Sequence, residues 1–526
     1  MALPTAIRTR FRFGRSKQAR APLWLVLTAL VGALVALGPL VYVFDRARSR
    51  GLDEVQSEIW QRRTFDLVVR SLTLMLVVTA LCVVIGVAAA IVVARTDVPF
   101  RRVWQVVLAL PLSIPTYVAA YTWIAARPSL AGFHGATIVL TLCSYPYVYL
   151  PVLAAVSRLD PAQEEVARSL GHSSLAVVWR VTLPQLRPAI AAGGLLVALY
   201  VLSDFGAVGT MRYEVFTWVI FGAYNAGFNP ARAAILSLVL VACASLVVMF
   251  EVRARGAAQT VRVGGGSARP APLLALGRAR SVVLGAIAAL VGASIIFPVG
   301  SLLRLLTRGV DRGIDWSALL SALGTSLRLS LMAAIVTTVM AAPVGVLAAR
   351  FRTRSSVVIE RVTYFAHALP GIVIAISMVY TGVRLLRPVY QETPLLVLTY
   401  AVLFLPLSVA SVRAAIEQSP PVFEDVARSL GRRHVVALLT VTARLAAPGL
   451  AAGAAMVFLA TMKELPATLL LHPTGTETLA TRLWQRSGVS DYGGAAPFAA
   501  ALVVFAAVPT AVLGWWSGRL GEFPND

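Results

Sequence analysis

The chain has 526 residues, of which 58% are hydrophobic and only 13% are charged. Because a water-soluble domain carries roughly 25% charged residues, this composition excludes a soluble globular protein and indicates that lipid is the solvent. The net charge is +23, but the basic residues lie in short clusters between apolar runs. That distribution argues against a nucleic-acid partner and is typical of the loops of a membrane protein.

Twelve apolar runs are long enough to cross a bilayer as helices. The first follows a basic segment and, at about 23 residues, is longer than a signal-peptide core, so it is predicted to remain as an uncleaved span. The fifth and eleventh runs are the least regular, because each meets an acidic residue before it ends. The predicted spans are 22–44, 71–94, 103–126, 135–157, 188–208, 233–250, 281–303, 329–349, 362–383, 393–412, 445–468 and 495–517.

Basic residues are divided unequally between the two sides that twelve spans define. With the N-terminus inside, the inner segments hold 29 of the 47 lysines and arginines, and the outer segments hold 18. This pattern satisfies the positive-inside rule and predicts that both termini are cytoplasmic. The longest inner loop, 251–280, contains Gly264-Gly265-Gly266-Ser267 and Pro270, so it is predicted to be a flexible linker between two halves.

The sequence repeats itself after this linker. Residues 164–171 read EEVARSLG, and residues 424–431 read EDVARSLG, at an offset of 260. Each half contains six spans, so the repeats are parallel and related by an axis along the membrane normal. The predicted fold is therefore all-α, with twelve transmembrane helices in two parallel six-helix repeats. Other positions that recur are Pro188 and Gly193 as Pro448 and Gly453, and Ser71, Leu74 and Arg95 as Ser326, Leu329 and Arg350.

The repeated octapeptide lies in the inner loop after the fourth span of each half. In the first half Glu165 and Ala167 are followed by Gly171 and, after nine residues, by Val181-Thr182-Leu183-Pro184. This pattern resembles the EAA loop of ABC-type importer permeases, in which E-A-A is followed by three residues, G, nine residues and I-x-L-P. The residues also predict a helix that begins at Asp160-Pro161 and stops at Gly171.

The second copy departs from the family pattern. Asp425 replaces the glutamate, and Ala443-Arg444 stand where Leu-Pro is expected, so the resemblance implies asymmetric docking. Small residues such as Ala167 and Gly171 are expected to let the backbone of a partner come close. The candidate ATPase-coupling residues are Glu164, Glu165, Ala167, Gly171, Glu424, Asp425, Ala427 and Gly431.

The resemblance covers nearly the whole chain and implies a fused permease of the type I importer class. It implies two copies of a separate ABC ATPase subunit, an external solute-binding protein and a place in the lipid of a bacterial inner membrane. Only two lysines occur, Lys17 and Lys463, and neither lies in a P-loop pattern, so no nucleotide site, cofactor or enzymatic activity is expected. The implied boundaries are 1–66 for the tail, first span and outer loop, 67–252 for the first permease domain, 253–280 for the linker, 281–322 for the seventh span and outer loop, and 323–518 for the second permease domain.

Two acidic residues near the outer ends of spans occupy equivalent positions. Asp204 and Glu464 each lie 16 residues after a repeated proline, which is about 24 Å along a helix, so both are expected at one depth in the outer part of the membrane. Carboxylates at this depth are costly and usually face a cavity or a partner. They are candidates for the outer mouth of a pathway, but the charged residues nearby favour structural ion pairs or a contact surface for a binding protein. The five histidines have no metal-ligand spacing, so no stable metal site is predicted.

The sequence leaves open which of several classes of solute is transported. The segment from Lys463 through Pro473 to Ala480, and the segment Ser203-Asp204-Phe205-Gly206, resemble ferric iron permeases, and carboxylate oxygens suit a hard cation. Fused permeases for thiamine and phosphonates are the alternatives within the same role. A proton-coupled secondary transporter also has twelve spans, but it gives no reason for a duplicated inner helix. A membrane enzyme would need a clustered nucleophile, base or metal set, and the sequence contains none.

Overall fold

The computed structural model describes residues 21–49, 51–227, 229–255, 273–310, 313–351, 353–365 and 369–521. Within these ranges the chain is built from helices. Helices are expected in lipid, because backbone N–H and C=O groups there must form hydrogen bonds with each other. One isolated bridge joins Thr96 to Leu274, at the end of the linker. The basic N-terminal residues 8–20, the linker residues 264–267 and Pro270 lie outside the described residues.

The first half comprises helices α1 to α13. Long apolar helices alternate with short ones that lie at the two ends of the bundle. Their bounds are α1 Leu23–Arg48, α2 Leu52–Ile59, α3 Arg62–Arg95, α4 Arg101–Val107, α5 Thr116–Ala126, α6 Phe133–Ser144, α7 Pro146–Val156, α8 Ala162–Ser169, α9 Ser174–Val177, α10 Leu183–Ser203, α11 Gly206–Thr210, α12 Phe216–Asn225 and α13 Pro230–Arg255.

The second half repeats this order with helices α14 to α25. Two π-helical segments, Val178–Thr182 and Leu438–Thr442, precede α10 and α22 at equivalent positions. The bounds are α14 Arg280–Val291, α15 Phe297–Val310, α16 Trp316–Arg350, α17 Arg354–Phe365, α18 Gly371–Arg384, α19 Thr393–Glu417, α20 Pro421–Ser429, α21 His434–Ala437, α22 Ala443–Met462, α23 Pro466–Leu471, α24 Leu479–Gly488 and α25 Tyr492–Gly521.

The twelve predicted spans each have a counterpart in the described part of the chain. Nine helical segments there are long and apolar enough to cross a membrane unaided. A tenth is the bent pair Arg101–Ser113 and Thr116–Ala126, whose parts meet at 86°. The remaining two are the shorter apolar helices Gly371–Arg384 and Tyr492–Ala507. The fold is the twelve-helix arrangement of a type I importer permease, as the sequence predicted.

Each half has a core of three mutually packed helices, α3, α7 and α10 in the first and α16, α19 and α22 in the second. The repeated glycines explain how closely these helices approach. A Cβ atom on Gly193 would lie 2.7 Å from the Cα of Val148, and one on Gly453 would lie 2.5 Å from the Cβ of Ser411. Small residues at helix interfaces are the usual means of close packing in lipid, where the hydrophobic effect does not drive helices together.

The first helices of each half cross over to the other half. Helix α1 packs against α16, α17 and α18, and the Ser377 hydroxyl donates to the Pro39 carbonyl at 3.1 Å. Helix α15 packs against α5, where the Ser301 hydroxyl donates to the Thr122 carbonyl at 3.1 Å. This exchange of peripheral helices ties the halves together around the surface between the two cores.

Candidate functional site

The two helices that carry the repeated octapeptide, α8 and α20, are called here the coupling helices. The Asp160 carboxylate accepts a hydrogen bond from the Ala162 N–H at 3.0 Å, so the first coupling helix starts one residue after Pro161. The second starts at Pro421, and its preceding residue, Pro420, has no side chain that can accept such a bond. The two helices therefore begin differently although their sequences are almost the same.

Both coupling helices end in the same turn. The His172 N–H donates to the Ala167 carbonyl at 3.2 Å, and the Gly171 N–H donates to the Arg168 carbonyl at 2.9 Å. This pair of bonds is a Schellman motif, which requires a left-handed residue after the helix. Gly171 has φ +85° and Gly431 has φ +84°, and no atom lies close to where a Cβ would stand. Backbone conformation, rather than space, accounts for these glycines.

Under the first coupling helix lies a buried ionic cluster. Glu164 is 5% exposed and faces the body of the protein. Its Oε1 accepts from the Thr182 hydroxyl at 2.9 Å and lies 3.3 Å from Nη2 of Arg95. Its Oε2 lies 3.4 Å from Nη2 of Arg168. Because Arg95 ends α3 and Thr182 precedes α10, one carboxylate connects the coupling helix to two core helices.

The same cluster recurs under the second coupling helix with closer contacts. Oε1 of Glu424 accepts from Nε of Arg350 at 3.0 Å and lies 2.9 Å from Nη2 of the same guanidinium. The Thr442 hydroxyl donates to that oxygen at 2.5 Å, and Nη2 of Arg350 also donates to the Ser419 carbonyl at 2.9 Å. The clusters Arg95–Glu164–Thr182 and Arg350–Glu424–Thr442 are called here the two anchors.

The outward faces of the coupling helices carry both charged and apolar side chains. Glu165 and Asp425 are exposed, and Asp425 forms a surface ion pair with Arg428 at 3.5 Å. Next to them, matched apolar side chains remain exposed at half or more of their surface: Val166, Leu170 and Trp179 in the first half, and Val426, Leu430 and Leu439 in the second. Such apolar patches beside charges are typical of a protein contact surface.

The candidate coupling residues therefore separate into two groups. Ala167 and Ala427 are 7% and 8% exposed and face inward beside the two glutamates, so they do not offer the small outer surface expected for a partner's backbone. Glu165, Asp425, Gly171 and Gly431 lie on the outer side, and Arg444 is exposed as well.

Sequence reasoning did not assign a role to the arginine and the threonine of each anchor. A signal for both was available. Arg95 and Arg350 recur at the ends of equivalent spans, and Thr182 and Thr442 each follow the anchor glutamate by 18 residues. Only the folded chain shows that these recurring positions meet.

Asp204 lies where the fifth span breaks. Helix α10 ends at Ser203, and Oδ1 of Asp204 accepts from the N–H groups of Ala207 and Val208 at 2.9 and 3.2 Å, which caps α11. Its Oδ2 accepts from the Thr116 hydroxyl at 2.7 Å. Asp204 is 7% exposed, and no ion pair to it occurs among the described residues, so it serves as a buried helix cap.

Glu464 has the same position in the second half. Helix α22 ends at Met462, and the carboxylate of Glu464 accepts from the N–H groups of Ala467 and Thr468 at 2.9 and 3.0 Å. The Thr468 hydroxyl donates to Oε2 at 2.9 Å and contacts the Tyr400 hydroxyl at 2.7 Å. In contrast to Asp204, Glu464 keeps part of its surface accessible.

Lys463 connects the two halves at this level. Its Nζ donates to the Leu112 carbonyl at 3.1 Å, across the surface between the halves, and it makes no ion pair with Glu464. In the part of the chain that the structure describes, no group of three or more His, Cys, Asp or Glu side chains is arranged to hold a metal ion. The arrangement around Asp204 and Glu464 is thus a pair of helix breaks with carboxylate caps.

Comparison with known proteins adds a family and several relatives. Residues 82–257 and 341–521 match the family described as the binding-protein-dependent transport system inner membrane component. The Fe(3+)-transport system permease protein FbpB 2 of Haemophilus influenzae is 36% identical over 498 residues, which cover 94% of this chain and 98% of that protein. The match therefore includes both halves.

Other relatives match a smaller part of the chain. The sulfate transport system permease protein CysW of Synechocystis is 32% identical over 200 residues, which are 35% of this chain and 71% of that protein. The molybdenum transport system permease protein ModB of Mycobacterium bovis is 30% identical over 247 residues, which are 43% of this chain and 92% of that protein. Each alignment covers less than half of this chain, in keeping with its repeated architecture.

Proposed function

Because the chain belongs to the family of binding-protein-dependent transport system inner membrane components, we propose that it is the transmembrane permease subunit of an ATP-driven importer. The observation that carries this proposal is the duplicated coupling helix with its buried anchor. Each anchor fastens a short surface helix to the ends of two core helices. A movement imposed on the surface helix is therefore transmitted to the membrane-spanning core.

The partner that imposes the movement is a separate ABC ATPase. Two coupling helices with matched exposed apolar residues support one docking site per ATPase copy, and hence two copies per permease. The outward charges differ, with Glu165 in one helix and Asp425 in the other, so the two contacts are expected to be similar rather than identical. The permease contributes the path, and ATP hydrolysis takes place in the partner.

The proposed cargo is ferric iron delivered by an external solute-binding protein. This proposal is supported by the name of the Haemophilus relative, which matches both halves of the chain, and by the segments around Asp204 and Glu464. These two carboxylates are proposed to stand at the outer end of the pathway between the halves. The breaks in the fifth and eleventh helices support that placement, because irregular backbone at membrane depth is tolerated where it is buried or lines a cavity.

The orientation follows from charge. Because the segments predicted to be inner hold 29 basic residues and the outer ones 18, we propose that both termini and both coupling helices lie on the cytoplasmic side of a bacterial inner membrane. The binding protein then approaches from the opposite side. An energised importer needs this separation, because the cargo arrives on one side and ATP is supplied on the other.

The test is ATPase activity and solute uptake in proteoliposomes that contain this chain, its ATPase and its binding protein. Stimulation by the ferric-loaded binding protein and accumulation of iron are expected. Stimulation by thiamine or a phosphonate alone would keep the permease role and refute the iron assignment. Uptake that needs a proton gradient and no ATPase would instead indicate a secondary transporter.

A further inference from the structure

A small polar cavity lies beside Glu464 in the second half, between α16, α19, α22 and the start of α24. It has room for about one water molecule or one metal ion without its hydration shell. The Thr461 hydroxyl lines this cavity, is buried with its residue 4% exposed, and has no hydrogen-bond partner. The residues around the cavity that carry side-chain oxygen atoms are Ser326, Ser330, Tyr400, Thr461, Glu464, Thr468 and Thr478.

No lysine or arginine in the described ranges pairs with Glu464. Its oxygens accept hydrogen bonds from Ala467 and Thr468, and no ion pair to it occurs among the described residues. The neighbouring ammonium of Lys463 is directed to the Leu112 carbonyl of the first half. A carboxylate and several hydroxyl oxygens around a cavity are the ligand set that a small, hard cation prefers.

The first half has the same backbone arrangement at this place. The Ser71 hydroxyl accepts from the Phe216 N–H at 3.2 Å, and the Ser326 hydroxyl accepts from the Leu479 N–H at 2.9 Å. These bonds, with the repeat offsets of 255 and 260, fix which residues correspond. The positions equivalent to Ser330, Thr461, Thr468 and Thr478 are occupied by Met75, Val201, Val208 and Val215.

At this place the two halves therefore have the same backbone arrangement but different side chains. The hydroxyl-bearing residues Ser330, Thr461, Thr468 and Thr478 of the second-half cavity have apolar counterparts in the first half, whereas Ser326 is retained as Ser71. The Asp204 carboxylate accepts a hydrogen bond from the Thr116 hydroxyl. Glu464 accepts instead from the Thr468 hydroxyl, on the helix that it caps, and the residue that corresponds to Thr116 is Gly371. One acid is held as a closed structural cap, while the other borders a cavity.

We propose that the cavity beside Glu464 is an oxygen-donor site for a small hard cation in transit, and that the second half alone provides it. The cation is the cargo ion, so this inference rests on the proposed function. With one carboxylate and several neutral hydroxyls the site is weak. A conduit needs such a site, because a cation that enters must also be able to leave.

The test replaces a hydroxyl group that lines the cavity by a methyl group, which keeps the shape of the side chain. Thr461→Val places in the second half the residue that the first half carries at Val201. In proteoliposomes with the ATPase and the ferric-loaded binding protein, we expect about threefold to tenfold less iron imported per ATP hydrolysed, with stimulation of the ATPase retained. Tyr400→Phe, a second variant that keeps the shape of its residue, should lower the same ratio.

The matched control is Thr141→Val in the first half. Thr141 is also 4% exposed and also has a hydroxyl without a hydrogen-bond partner, but it does not line the cavity. Its substitution should leave the ratio of iron to ATP unchanged. An unchanged ratio in both Thr461→Val and Tyr400→Phe, or an equal loss in the control, would overturn the cation site. Absence of iron uptake by the wild-type complex would refute the proposed cargo before any variant is compared.

Discussion

Replacement of Glu424 by glutamine tests the anchor of the second coupling helix with little change in shape. One oxygen of Glu424 has three close contacts, with Nε of Arg350 at 3.0 Å, Nη2 at 2.9 Å and the Thr442 hydroxyl at 2.5 Å. A bond to a charged group contributes about 1.5–3 kcal/mol and a neutral one about 0.5–1.5 kcal/mol, so each contact weakens by about 1 kcal/mol. The expected loss is about 2–3 kcal/mol in the free energy that holds α20 to the core.

Amide hydrogen exchange of the complex in nanodiscs measures this loss. Local opening of α20 should become about 30- to 150-fold more frequent, because each 1.4 kcal/mol is a factor of ten. Solute transport per ATP should fall in the same variant, because a loosened coupling helix transmits less of the movement of the ATPase. Exchange in the core helix α19 should stay as in the wild type.

Asp425→Asn is the control on the same helix. Asp425 is adjacent in sequence and loses the same charge, but its side chain is 70% exposed and its ion pair with Arg428 is 3.5 Å long. Exposed pairs of this kind contribute little to stability. Equal acceleration of exchange in Glu424→Gln and Asp425→Asn, or none in either, would refute the argument that the buried anchor fastens the helix.

Three further changes have outcomes that the structure sets. In Gly171→Ala the added Cβ has room, but the alanine must adopt a left-handed conformation, so the turn after α8 should be destabilised by about 1–2 kcal/mol. Amide hydrogen exchange in this turn should become faster. Unchanged exchange would exclude the Schellman motif as the reason for the glycine. Thr116→Val removes the hydroxyl that donates a hydrogen bond to Asp204, so a fall in thermal stability in detergent equivalent to about 1–3 kcal/mol is expected. Wild-type stability in this variant would show that the hydrogen bond is dispensable. The hydrogen bond from the Ala318 N–H lowers the pKa of Asp315 below its usual 3.8. The stability that this cap gives to α16 is therefore present above pH 3.8 and is lost as the pH falls through the lowered pKa. Asp315→Asn should abolish this acid dependence, measured as amide hydrogen exchange in the first turn of α16.

The spans could be predicted from sequence because the signal for them is local. A run of apolar residues long enough for the bilayer has few structural alternatives, and even the two irregular runs were informative. Their acids, Asp204 and Glu464, mark the points where α10 and α22 break. The sequence could not show whether these acids face a pathway or an ion pair, because that depends on the short helices they cap.

The anchors could not be predicted because they depend on contacts between distant parts of the chain. Arg350 and Glu424 are 74 residues apart and meet only when α16, the coupling helix and the base of α22 have packed. Sequence pattern placed Glu164 and Glu165 together as coupling residues, yet one is buried and the other is exposed. On a helix, adjacent residues point about 100° apart, so only the packed structure shows which one faces the core.

Fusion of two halves in one chain explains where they are alike and where they differ. A permease made of two copies of one subunit has the same residues on both sides of its axis, whereas a fused chain is free of that constraint. The anchors have kept the same three residue types, which agrees with the proposal that both coupling helices dock the same kind of ATPase subunit. The residues around the helix breaks have diverged, with Thr461 and Thr468 in the second half where the first half has Val201 and Val208. The proposed cation site takes its oxygen donors from the second half alone, so the apolar residues at these positions of the first half are compatible with it.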